Sequence, residues 1–181
     1  MFLLCAAVVV SNGGCSERTS TTKAIPSLSE QLYPVTFSMT RAELVEKLPT
    51  DKTSNWLLLT SPASLDPMET ATLPSGMRIT VAFNESDDSI KVIHIGDEWF
   101  ILPDGLSMRS TARAIRLLRP RSQFLCYHGY ASVIEVADGI RIAFFPWTES
   151  DPEPTSTPAW IEIYPEALQQ PESAKASSPI E

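Results

Sequence analysis

The chain has 181 residues, of which 43% are hydrophobic and 20% charged, and its formal net charge is −8. That composition suits one compact domain or two small ones, and the acidic balance disfavours nucleic-acid binding, because a phosphate backbone is repelled. Fifteen prolines against seven glycines point to extended connections, and after the first ten residues no apolar run approaches the ~20 needed to span a bilayer.

The chain opens with the apolar, uncharged run MFLLCAAVVV, followed by SNGGC. A short apolar stretch ending in small residues reads as a secretory signal. Small residues directly before a cysteine resemble a bacterial lipobox. The resemblance implies cleavage before Cys15 and acylation of that residue, with residues 1–15 forming the signal and lipobox. Plain secretion and an uncleaved anchor stay open as alternatives. Ser16, rather than Asp, after the cysteine resembles an outer-membrane sorting signal. Cys5 lies in the signal, so Cys126 alone remains and has no intramolecular disulfide partner. Between Leu125 and Tyr127 it reads as a small buried apolar residue.

Residues 16–32 are Ser/Thr-rich and read as a polar tether, and residues 166–181 as a disordered tail. The folded part between them begins with SMTRAELVEKLP. Thr40 and Glu43 have capping-box spacing, and Met39 with Leu44 have hydrophobic-staple spacing. Leu44, Val45 and Leu48 are assigned to one face, and Pro49 stops the helix. SMRSTARAIRLLRP mirrors this stretch at an offset of 70, which pairs Thr40 with Ser110 and Val45 with Ile115.

Strand-like runs follow each helix. SNWLLLTSPASL from Ser54 resembles SQFLCYHGYASV from Ser122, 68 residues later (122 − 54). GMRITVAF from Gly76 resembles GIRIAFF from Gly139, 63 residues later (139 − 76). Additional strands are expected over 68–73 and 131–137. Glu-Ser-Asp turns at Glu85 and Glu149 precede a last strand in each half. The four prolines from 152 to 165 are expected to blunt a sheet edge. The pattern predicts an α+β fold of two tandem helix-plus-antiparallel-sheet units, residues 33–98 and 99–165, packed into one pseudo-symmetric body. A unit that small buries too little surface to stand comfortably alone.

Ser38-Met39-Thr40 at a helix start, Leu48-Pro49 at its end, a following antiparallel meander and the lipobox together resemble the SmpA/BamE family, small lipoproteins of the outer-membrane β-barrel assembly machine. The doubled arrangement is similar to the β-lactamase-inhibitory-protein family. These resemblances imply a binding or scaffold role with no catalytic residues to carry over.

Little in the sequence points to chemistry. His94 and His128 lack metal-ligand spacing to a third group, and Cys126-x-His128 supplies two ligands where zinc needs three or four. No nucleophile elbow, phosphate-binding Gly loop or dinucleotide fingerprint occurs. Asp87-Asp88 and Asp97-Glu98 read as solvated turns. No catalytic residue, metal or cofactor is therefore expected. Arg109, Arg113, Arg116 and Arg119 fill one arc of a helical projection, with Ala114, Ile115 and Leu118 opposite. They read either as a solvated helix back or as an anion- or partner-facing patch. Trp99, Phe100 and the 146–158 connection are candidate contact points, with a core placement of Trp99 equally open. The expected role is a non-catalytic, lipid-anchored binding or scaffold protein at the periplasmic face of the outer membrane, attached by lipid rather than by a transmembrane helix. Its partners would be envelope proteins or the membrane surface. The alternative is a secreted enzyme inhibitor that binds through its sheet.

Overall fold

A computed structural model describes residues 24–51, 59–61, 64–65, 68–126, 131–145 and 151–169. Within them the fold is α+β and mostly sheet. The helices are α1 (Leu28–Leu32), α2 (Arg41–Lys47), α3 (Ala112–Leu118) and α4 (Glu166–Gln169). The strands are β1 (Thr50–Asp51), β2 (Leu59–Ser61), β3 (Ser64–Leu65), β4 (Met68–Thr72), β5 (Arg78–Phe83), β6 (Ile90–Ile95), β7 (Gln123–Cys126), β8 (Ser132–Ala137), β9 (Ile140–Phe144) and β10 (Trp160–Ile163). Strands β2 and β3 pair with each other, and the other eight form one antiparallel sheet in the order β1-β4-β5-β6-β10-β9-β8-β7.

The expected cap starts α2. The amide of Glu43 donates to Thr40 Oγ1 at 3.3 Å, and the Thr40 amide donates to Glu43 Oε2 at 2.8 Å. Two orphan donors are thereby satisfied at the helix start. Met39 and Leu44 are both buried in the core, as is Leu48. Val45 is not: it is 48% exposed. It lies about 100° around the helix from Leu44, and in so short a helix only the i, i+4 pair 44/48 faces the sheet.

The same device starts α1, where Ser27 and Glu30 exchange bonds and Leu28 and Leu32 enter the core. Residues 28–32 are therefore fold and not tether. Likewise residues 166–169 are helical, with Ala167 and Leu168 against the core, so the tail begins later than expected. The N-cap of α3 is Thr111 and not Ser110: the Ala114 amide donates to Thr111 Oγ1 at 3.2 Å. The resulting helix buries Ala112 and Ile115, while Leu118 is 56% exposed instead of lying on the buried side.

One main cluster joins the helices to the sheet. Leu32, Leu44 and Ile115 pack with Ile79, Ile93, Ile95, Ile142 and Ile161. Side chains alternate across a strand, so this cluster defines one face of the sheet, and all four described helices contribute to it. The long connection after β6 also belongs to this core, through Phe100, Leu102, Leu106 and Met108. Two smaller clusters occupy the second face, around Met68–Ala82–Val92 and Ala131–Val133–Ala143.

Strand β10 is interior, bonded to β6 and β9, so the nearby prolines blunt no edge. None lies within Trp160–Ile163, and every ladder donor of that strand is kept.

Two turn glycines separate backbone strain from crowding. Gly76, between β4 and β5, has φ +87 and open space around a built Cβ; Gly139, between β8 and β9, has φ +73 and would place Cβ 2.5 Å from the Ala167 backbone nitrogen. Gly76→Ala should therefore lose only the left-handed backbone penalty, about 1–2 kcal/mol. Gly139→Ala should lose clearly more, because the start of α4 must move. Urea unfolding of both variants tests the difference, and equal losses would contradict it.

Candidate functional site

One residue from each of the eight strands stands in cross-strand register on the second face: Asp51, Thr70, Thr80, His94, Glu162, Arg141, Glu135 and Gln123. Directly paired residues share a face, so a polar row crosses the whole sheet. Hydrogen bonds knit much of it. Thr70 and Thr80 hydroxyls lie 3.4 Å apart, and Arg141 Nε donates to Glu135 Oε1 at 3.2 Å. The Arg141 guanidinium also stacks 4.4 Å from the Tyr164 ring centroid.

At the centre of the row, β6 meets β10 through His94 and Glu162. Both are buried, at 5% and 6% exposure. Trp160 Nε1 donates to Glu162 Oε1 at 2.9 Å, and the Tyr164 hydroxyl donates to Oε2 at 3.1 Å. These two donors hold the carboxylate as an acceptor. His94 Nδ1 stands 4.0 Å from Glu162 Oε1, beyond hydrogen-bond distance. Neither His94 nitrogen has a hydrogen-bond partner among the described residues. Burial pushes the His94 pKa below the ordinary imidazole range, and the nearby Glu162 charge opposes that shift. The imidazole is therefore neutral at neutral pH.

A surface hollow of about 510 Å³ lies over this centre, lined by Thr70, Arg78, Thr80, His94, Gly96, Asp97 and Trp160. Arg78 at its rim is bonded to Asp51 at 2.8 Å. Phe145, 55% exposed, meets the edge of Trp160 with centroids 5.1 Å apart. The arrangement offers aromatic surface, hydroxyls and carboxylate acceptors in a small area, which is the equipment of recognition.

The arginines expected on one helical arc do not share one helix. Arg109 precedes α3, pairs with Glu98 at 3.0 Å and lies over Trp99. Arg116 bonds Asp151 and Ser122, and Arg119, the C-cap, bonds Asp104 at 2.7 Å. Arg113 is exposed on α3. The single-arc projection is thus corrected, because the helix spans only Ala112–Leu118 and holds two of the four arginines, and acidic neighbours face Arg109, Arg116 and Arg119. Trp99 is 81% exposed, whereas Phe100 is 1% exposed and belongs to the core. The described part of the 146–158 connection docks on α3, where Ala112 and Arg113 amides donate to Ser156 and Pro154 carbonyls at 2.9 and 3.0 Å. Cys15, His128 and residues 146–150 lie outside the described residues, as does the Cys126 side chain.

The His94–Glu162 centre was not foreseen from sequence. Its signal was His94 and Glu162, each flanked on both sides by isoleucine within the strands IKVIHI and WIEI. Among the described residues no helix is long and apolar enough to cross a membrane, and no cluster of three or more metal-ligating side chains occurs. A scan of protein-family models and searches of curated proteins and solved structures each returned no match to this chain.

Proposed function

We propose that this chain is an exported, non-catalytic binding protein of the bacterial cell envelope, anchored by lipid on Cys15 and recognising its partner through the second face of the sheet. The observation that carries this reading is the polar row with its Trp160, Tyr164 and Phe145 surround, on a face that no described helix covers. Export rests on the apolar leader and Gly13-Gly14-Cys15. A tether from Cys15 to Ser27 reaches at most roughly 40 Å, which would keep the domain at the periplasmic face of the outer membrane.

The reading extends to two tandem units fused through β6 and β10. Outward from that pair, β5, β4 and β1 answer to β9, β8 and β7. The capped helices begin 71 residues apart (111 − 40), with Leu44 and Ile115 buried at equivalent places. The positive-φ turn glycines are 63 apart (139 − 76).

Fatty-acid labelling of the wild type and Cys15→Ala tests the anchor, and label retained in the variant would refute it. Capture from solubilised envelopes should return a stoichiometric partner, and surface charge reversal at Arg141 should weaken that capture. The second reading, a secreted inhibitor, is favoured by the same uncovered face. It predicts a soluble tight complex with one enzyme instead. Turnover that disappears on changing a single Ser or His would overturn both.

A further inference from the structure

Two hollows meet at one carboxylate at the end of β6. The hollow over His94, about 510 Å³, is walled by Trp160; a second, about 400 Å³, is walled by Trp99; and Asp97 lines both. We infer that this pair of hollows is a binding site for a neutral oligosaccharide, with one indole platform on each side of Asp97. The inference rests on the reading of the second face as a recognition surface and names the ligand class.

The chemistry excludes other classes in turn. A lipid chain would need apolar walls, but the Trp160 hollow presents Thr70, Thr80, Arg78 and Asp97 beside its indole. A phosphate or carboxylate ligand would need uncompensated positive charge. Arg78, Arg109 and Arg141 are each already paired with a carboxylate, of Asp51, Glu98 and Glu135. A sugar hydroxyl both donates and accepts, and so do Thr70, Thr80 and Ser75, while Asp97 accepts. The apolar face of a pyranose suits an indole, which gives large contact area at little entropy loss. Trp99 stands 81% exposed while its neighbour Phe100 is buried, so the backbone presents this ring to solvent with Arg109 on it. Two separate hollows demand an extended ligand rather than a single sugar.

The test applies the full chain to an array of neutral mono- to tetrasaccharides, followed by calorimetry on the retained ligand. Affinity should rise with chain length, and Trp99→Ala, at an exposed site, should weaken the longest ligand about tenfold. Thr80→Val, which removes a lining hydroxyl and keeps its shape, should bind measurably worse. No saccharide retained at millimolar concentration, or an affinity indifferent to Trp99→Ala, overturns the inference. So does preferential binding of inorganic phosphate. Envelope-partner capture that persists in the Trp99→Ala and Thr80→Val variants alongside a blank array would overturn the saccharide while leaving the recognition face standing.

Discussion

Phe100→Ala should lower the unfolding free energy by about 3–5 kcal/mol, while Trp99→Ala, one residue away, should change it by no more than about 0.5 kcal/mol. Phe100 is 1% exposed and packs in the main core with Leu102, Leu106 and Met108. The connection that carries it is fixed by its own bonds. The Leu102 amide donates to the Leu106 carbonyl at 2.7 Å, and Ile101 bridges Ser107. A segment held this way cannot collapse into the space left by a lost phenyl ring, so the cavity term is retained in full. Typical domain stability is about 5–15 kcal/mol, so the variant sits near the edge of folding. Trp99 points outward, 81% exposed, with Arg109 over its ring. Paired urea titrations measure both. A loss at Trp99 comparable to that at Phe100 would mean that the two side chains have been assigned to the wrong sides of the connection.

That pair of neighbours also shows what sequence reading could reach. Capping at Thr40 was legible because it needs only a hydroxyl and a carboxylate three residues apart. Strands β5 and β9 were legible because alternation within RITVAF and IRIAF is local. The start of α3 was missed by one residue: Ser110 and Thr111 are both good caps, and the choice depends on which register buries Ile115. Whether Trp99 or Phe100 turns inward is decided by the sheet beneath them, which no local pattern encodes. The His94–Glu162 centre was further from reach. It exists only because β6 pairs with β10, which joins residues 68 apart (162 − 94) and places the proline-flanked strand in the middle of the sheet. Read alone, His94 shows only that it lacks metal-ligand spacing; that its ring is buried without a hydrogen-bond partner among the described residues depends on the strand pairing.

Glu162→Leu should destabilise the fold by about 2–6 kcal/mol, because it takes the Glu162 acceptor from both the Trp160 indole N–H and the Tyr164 hydroxyl, at about 1–3 kcal/mol each. Glu162→Gln, which keeps one carbonyl oxygen, should lose roughly half as much. The partner residue adds a dependence on pH. Burial keeps His94 below its ordinary pKa in the folded state, so the unfolded chain takes up that proton first as pH falls. The His94 contribution is complete above the unfolded value of about 6.5. It is lost as pH drops through that value toward the lower folded one, by at most about 1.4 kcal/mol per unit. Around the imidazole stand the Thr80 hydroxyl from β5 and the Glu162 carboxylate and Trp160 indole from β10, with Arg78 and Asp97 in the hollow above. Among the described residues, only Glu162 is close enough to favour the protonated ring. Removing its charge should therefore depress the folded pKa further and carry the acid loss to lower pH, whereas His94→Gln should flatten it between pH 7.5 and 5.5. Urea midpoints at three pH values for wild type, His94→Gln and Glu162→Gln separate these outcomes. If wild type and His94→Gln run parallel over that window, the imidazole is not held neutral by burial, and the centre of the sheet is wetter than its packing implies.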